Sequence, residues 1–459
     1  MTTLHELEQL FETNLECALR DWQELIRFPS ISADPARKDD CIACAQWLVR
    51  HLTDIGFDAR LMETSGLPVV YAERPGPPNA PTVLYYGHYD VQPVDPLALW
   101  KTPPFEPVLK DGRLYGRGAQ DNKGQMMYAL AALKTLIQSD QLTSSVKIVL
   151  EGEEESSGSG LTELLKRQPD LFRADVLMVT DTGMDNAGRP TVTMGLRGVV
   201  QVEALLRCAA KDLHSGIHGG VAPNAAHAVA RLVASLHHAD GRVAVEGFYD
   251  GVPEPGSEER RLAADMPLDA ADYRKLAGAD PVPGETRYTI AERIGFRPCL
   301  DVNGLAAGHA GPGFKTVIAG EATLKLSARL AAGQDPERLL DLLVEHLQTH
   351  TPPEARLTIV HKNSAGPALR VALDSPAVAR ARGILDLLGK GKTAFRWEGA
   401  SIPVVAELAR VSGATPLLVG FGLETDNIHA PNESFSLDCF RMGFLYVAAL
   451  LSEPIAANP

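Results

Sequence analysis

Short apolar runs in this sequence end repeatedly in histidine or acidic side chains. The runs TVLYYGHYD, SVKIVLEGEEE and ADVLMVTDTG show this feature, and longer helical patterns alternate with such runs along the N-terminal part of the chain. Alternation of apolar strands with helices predicts an α/β fold in which a mostly parallel sheet is sandwiched by helices. Because ligands gather beyond the carboxyl ends of the strands in such sheets, we expect a polar site at that edge.

His88 and Asp90 stand two residues apart at the end of the first of these runs. Side chains at positions i and i+2 of a strand point to the same face. If the strand continues that far, the imidazole and the carboxylate act at one site. The question is then whether that site holds a metal ion.

The length and the charge of the chain exclude several classes of protein. A chain of 459 residues is too long for one ordinary core, so two domains are expected. A hydrophobic content of 45% and a charged content of 22% are typical of a globular protein rather than a disordered one. The net charge of −14, from 44 basic and 58 acidic residues, argues against nucleic acid as a partner.

Neither a membrane span nor a secreted protein is predicted. The chain lacks a long uninterrupted apolar run, and its N-terminus lacks the basic and apolar regions of a signal peptide. The six cysteines are scattered, which does not fit a disulfide framework. Cys41 and Cys44 form a C-x-x-C within a helical pattern; a redox or zinc role is the alternative to two small helix residues, which we favour. We therefore expect a cytoplasmic protein.

The sequence pattern changes near Leu196, which indicates a second domain inserted into the first. Beyond this point the segments PNAAHAVARLVASLHHA and ATLKLSARL predict a helix and a strand of an α+β module. We predict that residues 1–195 and 367–459 form the first domain and that residues 196–366 form the inserted one. Within the first domain, Asp111-Gly112 between extended segments predicts a hairpin turn.

Five side chains that follow apolar runs or lie in glycine-containing loops are candidate metal ligands. They are His88, Asp121, Glu155, Asp181 and His429. Three of them have ordinary alternatives: Asp121 could be a helix N-cap, Asp181 a turn residue, and His429 a surface loop residue. Together, two imidazoles and three carboxylates suit a pair of borderline ions such as Zn²⁺, Mn²⁺ or Co²⁺.

Three successive glutamates, Glu153 to Glu155, closely follow the apolar run VKIVL. A solvated acidic loop is the ordinary interpretation of such a charge run. Three carboxylates buried together without cations repel one another, whereas a bound divalent metal ion inverts this penalty. One glutamate could then ligate the metal while its neighbour, on the opposite side of the chain, carries protons.

Six motifs occur in order over essentially the whole chain: GHYDVQPVD, GRGAQDNKG, EGEEES, DLHSG, WEGASIP and NIHAPNE. Together they resemble the co-catalytic metallopeptidase family of carboxypeptidase G, aminoacylase and the cytosolic and carnosine dipeptidases, and most closely its dipeptidase branch. The resemblance implies a two-metal exopeptidase-like catalytic domain with an inserted lid and dimerisation domain. It also implies a homodimer that hydrolyses dipeptides or short peptides with a free C-terminus.

The resemblance assigns a metal-binding role to each candidate ligand. His88 and Asp181 would ligate one divalent ion. His429 and Glu155 would ligate the other, and Asp121 would bridge the two ions.

Two further carboxylates receive roles from the same resemblance. Asp90 would orient His88 by a hydrogen bond, which fits their i, i+2 spacing. Glu154 would be the general base that deprotonates the water between the metal ions. The segment EESSGS is one residue longer than the family pattern, so Glu153 stays open as an alternative base.

The resemblance also implies residues that contact the substrate. His214, in DLHSG, would reach the active site of the other subunit and stabilise the oxyanion; from the sequence alone it is an ordinary loop histidine, and His218 is a nearby rival. Thr316, Arg329 and Ser401 would bind the C-terminal carboxylate of the substrate, for which a guanidinium group is the natural bidentate partner.

Two alternatives to a dipeptidase stay open at this point. An amidohydrolase that deacylates N-acyl amino acids would use the same metal site. A catalytically inactive binding protein on this scaffold is disfavoured by the complete ligand set together with Glu154. The Pro/Gly-rich segment 241–313 receives no role beyond a hypothesis that it covers the site, and His309 near its end is either a substrate contact or an ordinary loop residue.

Overall fold

The computed structural model of the chain describes residues 3–156, 158–185, 188–266, 268–389 and 392–453. These residues form two compact units. The first unit comprises the described residues of Met1–Met194, Val371–Arg396 and Glu407–Pro459, and the second comprises those of Gly195–Arg370 and Trp397–Ala406. The short segment that contains Ser401 therefore belongs to the second unit, although it lies within the predicted segment 367–459.

Helices occur along the whole described chain. They are α1 (Leu4–Ile26), α2 (Lys38–Asp54), α3 (Lys123–Gln138), α4 (Gly160–Arg167), α5 (Ser215–His218), α6 (Ala225–Ala234), α7 (Ser257–Ala264), α8 (Ala270–Ala277), α9 (Ile290–Phe296), α10 (Pro336–His350), α11 (Pro376–Leu388), α12 (Pro403–Ser412) and α13 (Leu437–Leu451).

Strands alternate with these helices. They are β1 (Asp58–Met62), β2 (Val69–Arg74), β3 (Thr82–His88), β4 (Val108–Lys110), β5 (Arg113–Tyr115), β6 (Ser145–Glu151), β7 (Val176–Val179), β8 (Thr191–Leu196), β9 (Gly198–Arg207), β10 (Leu213–His214), β11 (Cys299–Ala307), β12 (Val317–Ile318), β13 (Glu321–Leu330), β14 (Arg356–Gly366), β15 (Leu369–Arg370), β16 (Ala394–Glu398), β17 (Thr415–Leu418) and β18 (Ser434–Ser436).

The main sheet of the first unit has the order β1-β2-β6-β3-β7-β17-β8. Its four central strands, β6, β3, β7 and β17, are parallel, and the strands outside them pair in the antiparallel direction. Strand β3 is buried over nearly its whole length, as expected for a parallel strand covered on both faces. The architecture confirms the predicted α/β class with a parallel sheet between helices.

Helix α3 is the most deeply buried helical segment near the site. All residues from Lys123 to Leu133 are buried, and the helix packs against α1 and α13. A helix that is apolar nearly all round lies inside a protein rather than on its surface. Because α3 begins two residues after Asp121, the loop that carries Asp121 is attached to a fixed element.

A small sheet of order β18-β5-β4 connects two loops of the first unit. Strand β5 precedes the loop that contains Asp121, and β18 follows the loop that contains His429. Between β4 and β5, Asp111 and Gly112 have positive φ angles of 51° and 71°, which confirms the predicted hairpin turn. The pairing of β5 with β18 brings the two loops together, although they are far apart in the sequence.

The second unit is built on an antiparallel sheet of order β11-β13-β9-β14. Burial alternates along β13, as expected for a strand with one face towards a core. The core consists of apolar residues from this sheet and from the packed helices α6 and α10, among them Val202, Leu232, Leu324 and Leu343.

In the part of the chain that the structure describes, no helix combines the length and apolar character needed to span a bilayer. The six cysteines are free. Cys41 and Cys44 are buried in α2, and burial raises the pKa of both thiols. This agrees with the interpretation of the pair as small helix residues.

Candidate metal centre

Loops at the carboxyl ends of neighbouring parallel strands deliver three of the candidate ligands. His88 ends β3, Glu155 lies in the loop after β6, and Asp181 lies in the loop after β7. Since β3 pairs with both β6 and β7, these side chains meet at one edge of the sheet. The loop after β5 adds Asp121, and the loop before β18 adds His429.

The first group of ligand atoms consists of His88, Asp121 and Asp181. Nε2 of His88 lies 3.2 Å from Oδ1 of Asp121 and 3.7 Å from Oδ2 of Asp181. The potential ligand atoms of the group all lie within 4.8 Å of one another. One imidazole nitrogen and two carboxylate oxygens therefore converge on one point.

The second group consists of Asp121, Glu155 and His429. Nε2 of His429 lies 2.9 Å from Oδ2 of Asp121 and 3.4 Å from Oε2 of Glu155. Asp121 thus directs one oxygen to each histidine. A carboxylate placed in this way can bridge two ions, and the mixed nitrogen and oxygen donors fit borderline divalent metals.

Asp90 lies behind His88 and is fully buried. Nδ1 of His88 hydrogen-bonds to the Asp90 backbone carbonyl oxygen at 3.1 Å and lies 3.3 Å from Oδ1 of the carboxylate. Oδ2 of Asp90 accepts hydrogen bonds from the Ser32 hydroxyl (2.6 Å) and the Glu155 backbone N–H (3.1 Å). The carbonyl oxygen and the nearby carboxylate of Asp90 together fix the ring so that Nε2 faces the ligand group. The same carboxylate also holds the backbone at Glu155, so it connects ligands of both groups.

The histidines in this acidic surrounding hold their protons strongly in the metal-free protein. Hydrogen bonds to Asp121 and Glu155 raise the pKa of His429 to about 10. Burial alone would lower the pKa of His88, but the charge of Asp181 and the hydrogen bond to Asp121 raise it well above its ordinary value. Metal ligation needs the neutral imidazole, so cation binding must displace these protons.

Glu154 and Glu153 lie in different surroundings. Burial raises the pKa of Glu154 well above its ordinary value; the charge of His88 lowers it, and the charge of Asp181 raises it further. The Glu153 carboxylate instead accepts hydrogen bonds from the backbone of Leu67 and Gly160. Of the two side chains, Glu154 is therefore the one in the electrostatic environment of the ligand groups.

Sequence reasoning assigned no role to Glu433, which is fully buried beside the ligands. Its Oε1 accepts from the backbone N–H of Gln120 (2.9 Å) and Asp121 (3.1 Å), and its Oε2 accepts from the N–H of Gly118 (2.9 Å) and from Arg117 (2.8 Å). Glu433 lies in the loop that carries His429, and it therefore fixes the backbone of the loop that carries Asp121. Its position four residues after His429, in NIHAPNE, is the signal that could have pointed to it.

Asn122 is a second side chain that sequence reasoning missed. Its amide donates to Oδ1 of Asp181 at 2.9 Å, and the residue is fully buried. This bond leaves Oδ2 of Asp181 as the oxygen that faces His88.

The remaining predicted residues lie in the second unit. His214 ends β10 opposite Val317 of β12, is exposed, and accepts a hydrogen bond at Nδ1 from the Gly216 N–H (3.0 Å). The adjacent Thr316 is also exposed, and its carbonyl oxygen accepts from the Ser215 N–H (3.1 Å). His214 and Thr316 are therefore brought close by the β10–β12 pairing.

Arg329 and Ser401 are brought together as well, because the Arg329 guanidinium donates to the Ser401 hydroxyl at 2.8 Å. His218 and His309 are less constrained. His218 is exposed at the end of α5, and His309 is exposed in a loop where its Nε2 lies 3.4 Å from the Pro312 carbonyl oxygen.

A profile of peptidase family M20/M25/M40 matches residues 84–453, which includes every candidate ligand. The chain belongs to this family. The resemblance noted in the motifs is thereby confirmed, and so is the prediction of a metallopeptidase.

Three known proteins align over nearly the full chain. The Beta-Ala-His dipeptidase of Rattus norvegicus is 27% identical over 98% of this chain and 92% of its own length. The cysteinylglycine-S-conjugate dipeptidase of Corynebacterium striatum is 29% identical over 92% of both chains. The solved structure of the M20 metallo-carboxypeptidase Sso-CP2 from Sulfolobus solfataricus is 31% identical and has a TM-score of 0.84, covering 95% of this chain and 98% of that one.

Proposed function

We propose that this chain is a two-metal dipeptidase that hydrolyses the peptide bond of dipeptides or short peptides with a free C-terminus. The observation that carries the proposal is the Asp121 carboxylate, which directs its two oxygens to two separate groups of potential ligands. The names of the aligned relatives, Beta-Ala-His dipeptidase and cysteinylglycine-S-conjugate dipeptidase, support dipeptides as the substrate class.

The ligand groups assign a place to each ion. His88 and Asp181 would hold one ion, and His429 and Glu155 would hold the other. Asp121 would contribute one carboxylate oxygen to each ion. Zn²⁺, Mn²⁺ and Co²⁺ all suit this donor set. Two ions in such a site polarise the scissile carbonyl group and lower the pKa of a bound water.

Glu154 supplies the proton transfers of this reaction. It accepts a proton from the attacking water and donates it to the leaving amine. A half-buried carboxyl group with a raised pKa is suited to both steps, because it binds a proton more readily than a solvated glutamate does. The bonds that hold Glu153 to the backbone of Leu67 and Gly160 support Glu154 over Glu153 as this base.

The second unit supplies the recognition of the substrate and acts as a lid and dimerisation domain of a cytoplasmic homodimer. Arg329, Ser401 and Thr316 form the site for the C-terminal carboxylate, with the guanidinium as its charged partner. The contact between Arg329 and Ser401 supports this grouping. His214 stabilises the oxyanion of the partner subunit, which its exposure at the end of β10 supports.

Hydrolysis of matched substrates tests the proposal. L-Ala-L-Ala and N-acetyl-L-alanine are each incubated with the protein in Mn²⁺, in Zn²⁺ and in a chelator. Metal-dependent release of alanine from the dipeptide alone is the expected result. Cleavage of only the acylated amino acid would identify a deacylase and refute the dipeptidase. Loss of this activity in Glu154→Gln, but not in the neighbouring control Glu153→Gln, assigns the reaction to this site.

A further inference from the structure

One arginine of the second unit holds the turn at residues 399–401 on three sides. The Arg197 backbone N–H donates to the Ala400 carbonyl oxygen (3.1 Å), and Nε of Arg197 donates to the Gly399 carbonyl oxygen (2.9 Å). The carbonyl oxygen of Arg197 in turn accepts the hydroxyl proton of Ser401. Three consecutive residues of the turn are therefore hydrogen-bonded to Arg197, which lies 204 positions before Ser401 in the sequence.

The bond from Ser401 to Arg197 determines what the hydroxyl can do for Arg329. A serine hydroxyl has one proton to donate and two lone pairs that accept. Its proton is used by Arg197, so towards Arg329 the hydroxyl only accepts, at 2.8 Å from Nη1. Ser401 in this arrangement orients the Arg329 guanidinium rather than donating to a carboxylate itself, and the backbone carbonyl group of Arg197 orients Ser401.

Neither guanidinium has a carboxylate within ion-pair distance among the described residues. Arg197 donates its remaining bonds to neutral acceptors, including the Arg297 carbonyl oxygen and the Cys299 sulfur, both at 3.4 Å. Burial and, next, the charge of Arg197 lower the pKa of Arg329, which places the two positive charges within electrostatic reach. Cys299 and Asp301 act on Arg329 in the opposite direction and do not cancel the shift.

Two buried or partly buried arginines of this unit, Arg297 and Arg370, do have acidic partners. Arg297 lies 2.6 Å from a carboxylate oxygen of Glu285, and Arg370 pairs with Glu259. Two partly buried cations without a carboxylate are unfavourable, and a bound anion relieves both. The pair therefore fits an anionic ligand, and a planar carboxylate matches the geometry of a guanidinium fork.

We propose that the Arg197 side chain is a positioning group for recognition of the substrate carboxylate, because its Nε fixes the Gly399 carbonyl oxygen two residues before Ser401 and its guanidinium adds a second positive charge to that site. The inference rests on the proposed dipeptidase function and deepens it. Arg197 makes the enzyme depend on a free C-terminus, so a peptide whose C-terminus is an amide does not benefit from it.

The test compares L-Ala-L-Ala with L-Ala-L-Ala amide in the metal-loaded wild-type enzyme, in Arg197→Met and in Arg197→Lys. For Arg197→Met we expect kcat/KM for the free dipeptide to fall ~10- to 100-fold, mainly through KM, the range expected for loss of hydrogen bonding to a charged group. The kcat/KM for the amide should change little, so the preference for the free acid is largely lost. Arg197→Lys keeps the charge and should restore part of that preference.

Arg207→Met is the matched control. Arg207 lies on the same strand, β9, is exposed and pairs with Glu321. Its substitution should leave the ratio of the two substrates unchanged. A control that altered the ratio as much as Arg197→Met would overturn the assignment to Arg197.

Gly399→Ala reaches the same turn without removing a charge. A Cβ at Gly399 would lie 3.0 Å from Nη2 of Arg197 and 2.8 Å from Ile294. This variant should also reduce the preference for the free acid. It replaces Arg197→Met in the comparison if Arg197→Met does not fold.

The outcomes separate this inference from the proposed function. If the wild-type enzyme cleaves neither substrate, or cleaves acid and amide equally, the proposed function fails. If the wild type prefers the acid and the Arg197→Met enzyme keeps the same preference, or loses both substrates in equal proportion, the role of Arg197 is refuted while the dipeptidase stands.

Discussion

Replacement of Glu433 by glutamine tests whether a single carboxylate holds the metal-binding loops together. Each carboxylate oxygen of Glu433 accepts from two donors, and one of the four donors is the buried Arg117 guanidinium. In Glu433→Gln an NH₂ group faces two of these donors, and Arg117 loses its charged partner. Breaking a buried ion pair by removing one partner costs ~3–5 kcal/mol, and we expect a loss of unfolding free energy in this range.

The assay is urea unfolding of the metal-free protein, read as the change in the unfolding free energy at constant slope. Glu8→Gln is the matched control, because Glu8 pairs with Arg441 where both side chains are partly exposed. Removing an exposed pair of this kind costs ~0.2–1 kcal/mol. Equal effects of the two substitutions would refute the reasoning about the buried network.

Glu433→Gln should also weaken metal binding, because the backbone N–H of Asp121 loses its acceptor. Loss of a partner that orients a metal ligand typically costs ~10- to 100-fold in metal affinity. Calorimetric titration with Zn²⁺ measures this loss. An unchanged affinity in a folded, destabilised variant would limit Glu433 to a role in folding.

Three further outcomes follow from the site. Glu154→Gln should retain its metal content, measured by elemental analysis, while kcat falls ~10²- to 10⁴-fold; the same result from Glu153→Gln instead would move the base by one position. Metal binding near pH 8 should release protons, since His429 has a pKa of about 10 in the metal-free protein; titration in weakly buffered indicator dye measures the release, and its absence would contradict the protonated state. Burial, opposed by the Tyr86 hydrogen bond, raises the pKa of Glu151 from 4.5 to about 7. Its contribution to stability is therefore full below pH 4.5 and is lost as the pH rises through 7, so Glu151→Gln should gain about 3 kcal/mol over the wild type between pH 4 and pH 8 in urea unfolding.

The parts of the fold that the sequence predicts well are those that depend on local patterns. The continuous apolar runs that end at His88 and Glu151 correspond to the parallel strands β3 and β6, because strands covered on both faces have no polar face to show. The hairpin at Asp111-Gly112 is equally local, since the turn needs two residues with positive φ.

The position of Ser401 was harder to predict, because the sequence gives no local signal for the unit to which it belongs. The hydrogen bonds of the 399–401 turn reach Arg197 and Arg329, which are distant in the sequence. Only the folded chain shows that these three residues form one cluster. The same reason explains why Glu433 had no predicted role, since its four donors lie more than 300 positions earlier.

The acidic side chains of the candidate ligands also require positive charge between them for the site to stay folded. Asp121, Asp181 and Glu155 converge on two histidines, and carboxylates so close together are stable only if positive charge lies between them. In the metal-free protein the raised pKa values of His88 and His429 supply that charge as protons. Divalent cations supply more of it and need the histidines neutral, so protons and metal ions compete for the same position between the carboxylates. The carboxylates therefore serve stability and metal affinity through one electrostatic requirement.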